Sequence, residues 1–371
     1  MPAILTLTPN PALDLSTTAE RVLPTHKLRC GPVTRYAGGG GINVARLLHR
    51  LGACRTLGVE SENAPQRDPF LPDSPPHSGA MGQEDGKKWA AAVHSQPTIP
   101  KSDRLLSADV AAWTLTGGPA GAKVQQLLQQ EGVLALCLPI ADDTRENLSV
   151  IETATGQEFR FVLPGPTLAA AEWQAMLAQL ASLANAPRWL VASGSLPPGV
   201  PDDFYAQAAR IAQRKGARFV LDSSGPALAA ALQVGAALVK PSLRELRELT
   251  GQALPDAPAW QAAAQGLVRS GQAELVALSL GAQGGLIASR DGVWQAPALP
   301  VPTTTGTTGA GDCFLAAILW ALEQGEPPPE ALRWGMAAGA ATLLAPGTAL
   351  AQVADVQRLL PQVVVQAVPV Q

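Results

Sequence analysis

Thr307-Thr308-Gly309-Ala310-Gly311-Asp312 runs straight into an apolar segment, Cys313 to Leu322, that reads as a buried helix. Small residues let a ligand approach the backbone closely, and the first N–H groups of a helix have no partner within it. Those groups and the positive end of the helix dipole together make an anion site. Asp312 puts a carboxylate at its mouth, where it could take the proton of an attacking hydroxyl. Taken alone, the tetrad fits better an Asp that merely caps its helix, and the rest of the chain has to decide.

Gly38-Gly39-Gly40-Gly41 opens a second such segment, which continues as an amphipathic helix from Ile42 to Arg50. Asn43, in its first turn, can both donate to and accept from hydroxyls. A linker is the alternative for a glycine run, but linkers do not usually lead into an amphipathic helix. Asp14 follows the first strand, Ala3 to Thr8, in a loop after Pro9-Asn10-Pro11. That is the carboxyl end of the strand, where open α/β sheets bind ligands, although a plain turn Asp fits as well. Four further loops should share that edge: Ser193 to Gly199, Asp222 to Gly225, Lys240 to Glu245 and Ser279 to Gly281. With the Asp312 helix they describe a cleft for a polyanion. The P-loop pattern Gly-x-x-x-x-Gly-Lys-[Ser/Thr] and the protein-kinase motif set are absent.

Helix and strand patterns alternate from Ala169 onward. Helices are predicted over 169–183, 202–215, 227–232, 243–249 and 259–270, and strands over 189–192, 218–221, 237–239 and 274–279. Such alternation predicts a mainly parallel sheet with helices on both faces, an α/β three-layer sandwich. Residues 281–294 read as an antiparallel edge, and helices 329–344 and 353–360 close the chain. Earlier, a strand at 111–115 precedes a helix at 120–130. Strand-like segments 145–153 and 159–163 form a hairpin that, with residues 15–36, should build a small side sheet over the cleft. Leu57 to Val110, rich in Pro and charge, reads as an exposed, mostly disordered insertion.

The formal net charge of −3 gives no reason to expect nucleic acid or an anionic membrane as partner. Cys30, Cys54, Cys137 and Cys313 form no CxxC pair, and the four His have no metal-ligand spacing. Cys313 reads as a packing residue. Reduced thiols and the lack of a signal peptide suggest a cytoplasmic protein. The longest apolar runs fall short of the ~20 residues of a membrane span.

Gly309 to Asp312, with Gly38 to Asn43 upstream, resembles the ribokinase-type (PfkB) sugar kinase family. Lys27 to Cys30, Arg160 to Gly165, Ser193 to Val200, Asp222 to Gly225 and Leu238 to Pro241 resemble its ATP-dependent 6-phosphofructokinase branch. The resemblance covers nearly everything except 57–110 and implies one ribokinase-like domain with a β-sheet lid. It implies ATP-dependent phosphorylation of a ketohexose phosphate, fructose 6-phosphate first. Tagatose 6-phosphate and fructose 1-phosphate are alternatives, and a catalytically weak binding protein is a rival of another class. Asp312 is then the base, with Gly309, Ala310 and Gly311 as the anion hole. Asp14, Gly39, Gly40 and Asn43 would hold sugar hydroxyls, and Lys27, Arg145, Arg160 and Ser195 would lie near the sugar phosphate. Lys240, Ser242, Ser279, Gly281, Gly284 and Thr307 would be on the ATP side, with Glu245 organising the shell of Mg²⁺. Ser242 replaces the Asn of the family's Asn-x-x-Glu motif, and Ala345 replaces an Asn beside its K⁺ position. A homodimer through the lid is implied as well.

Overall fold

Strand and helix order places the candidate residues partly at strand ends of one large sheet and partly on a small second sheet. The structure, a computed structural model, describes residues 2–56, 110–302 and 307–368. The insertion expected at 57–110 therefore lies outside the described residues, apart from Val110, which opens a strand. In chain order the elements begin with β1 (Ile4–Thr8), β2 (Ala12–Ala19), β3 (Thr34–Gly38) and α1 (Gly40–Thr56). Next come β4 (Val110–Thr116), α2 (Gly118–Gln130), β5 (Leu134–Pro139), β6 (Arg145–Glu152) and β7 (Glu158–Val162). Then follow α3 (Ala170–Ser182), β8 (Trp189–Ser193), α4 (Phe204–Arg214), β9 (Arg218–Asp222), α5 (Gly225–Leu232), β10 (Ala236–Val239) and α6 (Leu243–Thr250). The chain continues with α7 (Ala257–Arg269), β11 (Ala273–Ser279), β12 (Gly285–Ser289) and β13 (Gly292–Ala296). It ends with α8 (Ala310–Glu323), α9 (Pro328–Thr342), α10 (Val353–Leu359) and β14 (Gln366–Val368).

The large sheet runs β14-β13-β12-β11-β10-β9-β8-β1-β4-β5. From β11 to β5 every neighbour is parallel, and β12 to β14 form the antiparallel edge. Successive side chains alternate between two cores. Ile4, Val110, Ala112, Trp189 and Val191 face α1, α2, α8, α9 and α10. Leu5, Leu7, Trp113, Leu190 and Ala192 face α3 to α7. A sheet covered on both faces has near-continuous apolar strands, as these are. None of the described helices is long and apolar enough to cross a membrane.

After β1 the connections first add β4 and β5 on one side, then place β8 on the other. β1 and β8 thus flank the point where strand order reverses, which is where open α/β sheets form their crevice. The second sheet, β3-β2-β6-β7, is the side sheet expected from the hairpin signals. Two strands escaped prediction: β5, a short run that is mostly half-buried near the sheet edge, and the three-residue β14. α1 also differs from expectation. Gly41 to Leu48 are buried on every side, so the helix is central and not amphipathic. The one charged residue of that stretch, Arg46, is buried because it is ion-paired.

Candidate active site

α8 is buried from Cys313 to Leu319, and such all-round packing fixes its first turn rigidly. Gly309 is its N-cap, at φ 81°, a left-handed conformation that penalises any side chain. Ala310 N–H donates to Thr307 O and Cys313 N–H to Gly309 O. Among the described residues nothing accepts from the N–H groups of Gly311 and Asp312, so both point outward from the helix start. Asp312 does not cap the helix. It is the third helical residue, and its Oδ2 accepts 2.8 Å from Asn43 Nδ2, on α1. The capping alternative is thereby set aside.

Lys240, at the end of β10, is buried, with Nζ 3.0 Å from Asp222 Oδ1 at the end of β9. The same ammonium lies 3.6 Å from where a methyl group on Gly311 would sit. A cation therefore stands beside the first turn of α8. Burial opposes the Lys240 charge, but Asp222, Glu245 and Asp312 outweigh it and hold the ammonium protonated above its usual range. Asp312 is half-buried in the first turn of α8. Burial, and after it the Asp222 carboxylate, push it up to about 7, against the Asn43 hydrogen bond and Lys240. A carboxylate that titrates near neutrality, beside an anion pocket, suits a general base.

Asp14 sits not in a loop, as the Pro-flanked sequence suggests, but in β2. The strand begins immediately after Pro11, and Asp14 pairs with Tyr36 on β3 and Asn147 on β6. Its Oδ1 accepts from Asn147 Nδ2 at 2.8 Å, and its Oδ2 lies over Gly38, where a methyl group would fall 2.1 Å away. Burial raises its pKa, opposed by that hydrogen bond and by Arg160, Arg145 and Arg46. Gly39 O accepts from Asn43 N at 2.9 Å, and Gly40 packs against Ser193 and Gly194. Ser195 Oγ accepts from Asn10 Nδ2 at 3.1 Å. Arg145 donates to the carbonyls of Asn10, Pro11 and Leu163, so it pins the side sheet to the end of β1. Arg160 is exposed on β7 with its charge felt at Asp14, and Lys27 is exposed on the segment joining β2 and β3.

On the other side of Asp312, Ser242 bridges to Ser279, and Gly281 to Gly284 form a tight turn. Ser242 and Glu245 make a capping box: Ser242 N–H donates to Glu245 Oε2 at 2.7 Å and Glu245 N–H to Ser242 Oγ at 3.3 Å. Thr307 is exposed, and its neighbour Thr308 donates to Glu158 on β7 at 3.4 Å. The side sheet thus touches the start of α8. The motifs carried no sign of Asn147, Glu158 or the Asp222–Lys240 pair, because each acts through a partner far off in sequence. Arg46 had a signal, since it stands three residues after Asn43 on one helix face.

The profile of the pfkB family carbohydrate kinases matches residues 103–354. ATP-dependent 6-phosphofructokinase isozyme 2 of Mycobacterium tuberculosis is 39% identical over 357 residues, 96% of this chain and 88% of that protein. A 1-phosphofructokinase of Xanthomonas campestris is 33% identical over 323 residues, 86% of this chain and 83% of the relative. The crystal structure of phosphofructokinase-2 from Escherichia coli in complex with potassium superposes with TM-score 0.78 at 32% identity, over 98% of this chain and 99% of that one.

Proposed function

Because the chain belongs to the pfkB family of carbohydrate kinases, we propose that it moves the γ-phosphoryl group of ATP onto fructose 6-phosphate, making fructose 1,6-bisphosphate. The observation that carries this is the Asn43–Asp312 hydrogen bond, which joins the two glycine-rich helix starts into one floor. Asp312 takes the proton of the sugar hydroxyl as it attacks. The N–H groups of Gly311 and Asp312, with Gly309 and Ala310 shaping the turn, neutralise the migrating phosphoryl together with Lys240. Phosphoryl transfer needs little else than such positioning and charge neutralisation.

Asp14, Asn43, Gly39 and Gly40 face the sugar hydroxyls. Arg145 keeps two of its five N–H donors for the sugar phosphate after its three carbonyl bonds. Ser195, Arg160 and Lys27 complete that side. Ser242, Ser279, Gly281, Gly284 and Thr307 line the nucleotide side. The side sheet closes as a lid of the single kinase domain and excludes water, limiting wasteful ATP hydrolysis.

When bound with ATP, Mg²⁺ would neutralise phosphate charge. Glu245 fits a role through water: one oxygen caps α6, the other lies 3.8 Å from the exposed Arg244 Nη2, and the described residues contain no group of three or more His, Cys, Asp or Glu that could cage the ion. At position 345 a methyl group offers no ligand to K⁺, so we expect K⁺ to change turnover little. Phe161, Val162 and Leu163 are 49%, 57% and 52% exposed on the lid, an apolar run that suits pairing with a second copy. ATP and a sugar phosphate as substrates support a cytoplasmic location.

Xanthomonas 1-phosphofructokinase keeps fructose 1-phosphate as the second reading for the substrate. ADP release measured with fructose 6-phosphate, tagatose 6-phosphate and fructose 1-phosphate decides between them. Fructose 6-phosphate should give the highest kcat/KM, and the lowest value for it would refute the substrate. A binding protein without turnover would show the same residual rate for wild type and Asp312→Asn.

A further inference from the structure

Behind Asn43 lies a cluster of charges that phosphoryl transfer itself does not use. Arg46 is buried and meets Glu131, the residue that ends α2, through Nη2 at 2.7 Å and through Nε at 2.9 and 3.0 Å. Its remaining Nη1 donates to Ala37 O at 2.9 Å and reaches Asn43 Oδ1 at 3.4 Å. Arg50, one turn on, shares the same carboxylate at 3.2 Å and donates to the carbonyls of Leu350 and Ala351, each at 3.2 Å. Leu350 packs against Gly309, the cap of α8: a methyl group there would fall 2.8 Å from its Cδ2.

We propose that Arg46 and Glu131 are positioning residues for the base, holding the Asn43 amide so that its NH₂ faces Asp312, with Arg50 tying the same carboxylate to the loop that packs on the anion hole. This rests on phosphoryl transfer with Asp312 as base. An amide side chain can turn over at little cost unless its neighbours forbid it. Here both neighbours do. Turned over, Asn43 would set its oxygen against the Asp312 carboxylate and its NH₂ against the Arg46 guanidinium, with a repulsion at each end. Glu131 keeps that guanidinium in place, since a buried fork with one paired edge cannot swing away. The pairing also overcomes the cost of burying Glu131, whose carboxyl is held below its usual range by Arg46 and Arg50. Ala37 and Gly38 end β3, beneath Asp14, so the same guanidinium also fixes the strand on which the sugar-side carboxylate rests.

The groups that bear on Asp312 are Asn43 from α1, Asp222 from β9, Lys240 from β10 and Asp14 from β2. Of these, Arg46 hydrogen-bonds Asn43 and acts on Asp14 only by its charge and through β3, so loss of the pair reaches the base first through the Asn43 amide. The test is Arg46→Met combined with Glu131→Leu, which removes both charges at similar volume and leaves neither buried alone. The double variant should melt within a few degrees of wild type, yet lose about tenfold to a hundredfold in kcat at pH 7. Its KM for ATP should stay within about twofold. The rate should recover as pH rises, because Asp312 has lost a donor that favours its ionised form. A folded double variant with wild-type kcat and pH profile would reduce the pair to a structural ion bridge and overturn the proposal. Arg46→Lys keeps a charge opposite Glu131 without the fork, and should lose kcat in the same way; full activity in it would also overturn the proposal.

The carboxyl carbon of Asp312, followed by NMR and identified by its absence in Asp312→Asn, reads the same effect without substrate. Its midpoint should lie higher in the double variant, and equal midpoints would refute the positioning role. A raised midpoint with no turnover in any protein, wild type included, would keep the positioning role and refute the kinase function.

Discussion

Replacing Asn43 with Ala isolates the hydrogen bond on which the base depends. Asn43 Nδ2 donates to Asp312 Oδ2 at 2.8 Å in a site where burial already pushes that carboxyl up to about 7. A hydrogen bond to a charged group contributes about 1.5 to 3 kcal/mol, which equals about 1 to 2 pH units on the midpoint of the group that loses it. At pH 7 about half of Asp312 is ionised in wild type, and between about a tenth and a hundredth in the variant. The ionisation change alone therefore lowers kcat/KM at pH 7 by about 5- to 50-fold. Loss of a sugar contact adds a further drop that does not depend on pH. The measurement is kcat/KM from coupled ADP release between pH 5.5 and 9.5, which reports the free enzyme. The acid limb should move upward, so that the deficit shrinks as pH rises. A deficit of the same size at every pH, with the acid limb unmoved, would refute the role of Asn43 in tuning the base.

Asp312→Asn should lower turnover by about 10² to 10⁴, the usual worth of a general base. The same change should stabilise the fold. Because the folded pKa lies above the unfolded 3.8, the carboxyl group opposes folding by an amount that is absent below pH 4, grows as pH rises from about 4 to about 7, and is complete above that. Tm should rise by about 2 to 5 °C at pH 8 and by less at pH 5; a rise that is larger at pH 5 would contradict the sign. Gly309→Ala forces a side chain into φ 81° and toward Leu350, so it should cost about 1 to 2 kcal/mol in denaturant unfolding and lower kcat with it. Unchanged stability would mean that the helix start relaxes freely. Val162→Glu puts a charge on the exposed apolar edge of the lid and should shift a dimer toward monomer in sedimentation; an unaltered mass would place any pairing elsewhere.

Much of this site can be read without coordinates, and the reasons are local. A glycine run that leads into an apolar helix has few uses besides close approach of a ligand, and both runs serve the floor of the cleft. Asp14 was recognised as a candidate, yet its loop proved to be a strand. The sequence shows Pro9 and Pro11 as breakers, and they do end β1, but the pairing of β2 with both β3 and β6 restarts a strand at once. Arg46 misled in the opposite direction. A charged residue normally marks the solvent face of a helix, but here a half-buried carboxylate 85 residues away satisfies it. β5 passed unnoticed because half-burial blurs its pattern.

Local chemistry thus determined the alternation of strands and helices, the glycine turns and the identity of the carboxylates at their mouths. The tertiary structure decided which of them meet. Asn43 and Asp312 are 269 residues apart, and Lys240 faces Asp222 only because β9 and β10 are adjacent in the sheet. Strand order sets such encounters: β1 lies between β4 and β8, so the loops at their ends converge on one crevice. Order of this kind follows from the packing of whole layers, to which no single segment holds the key.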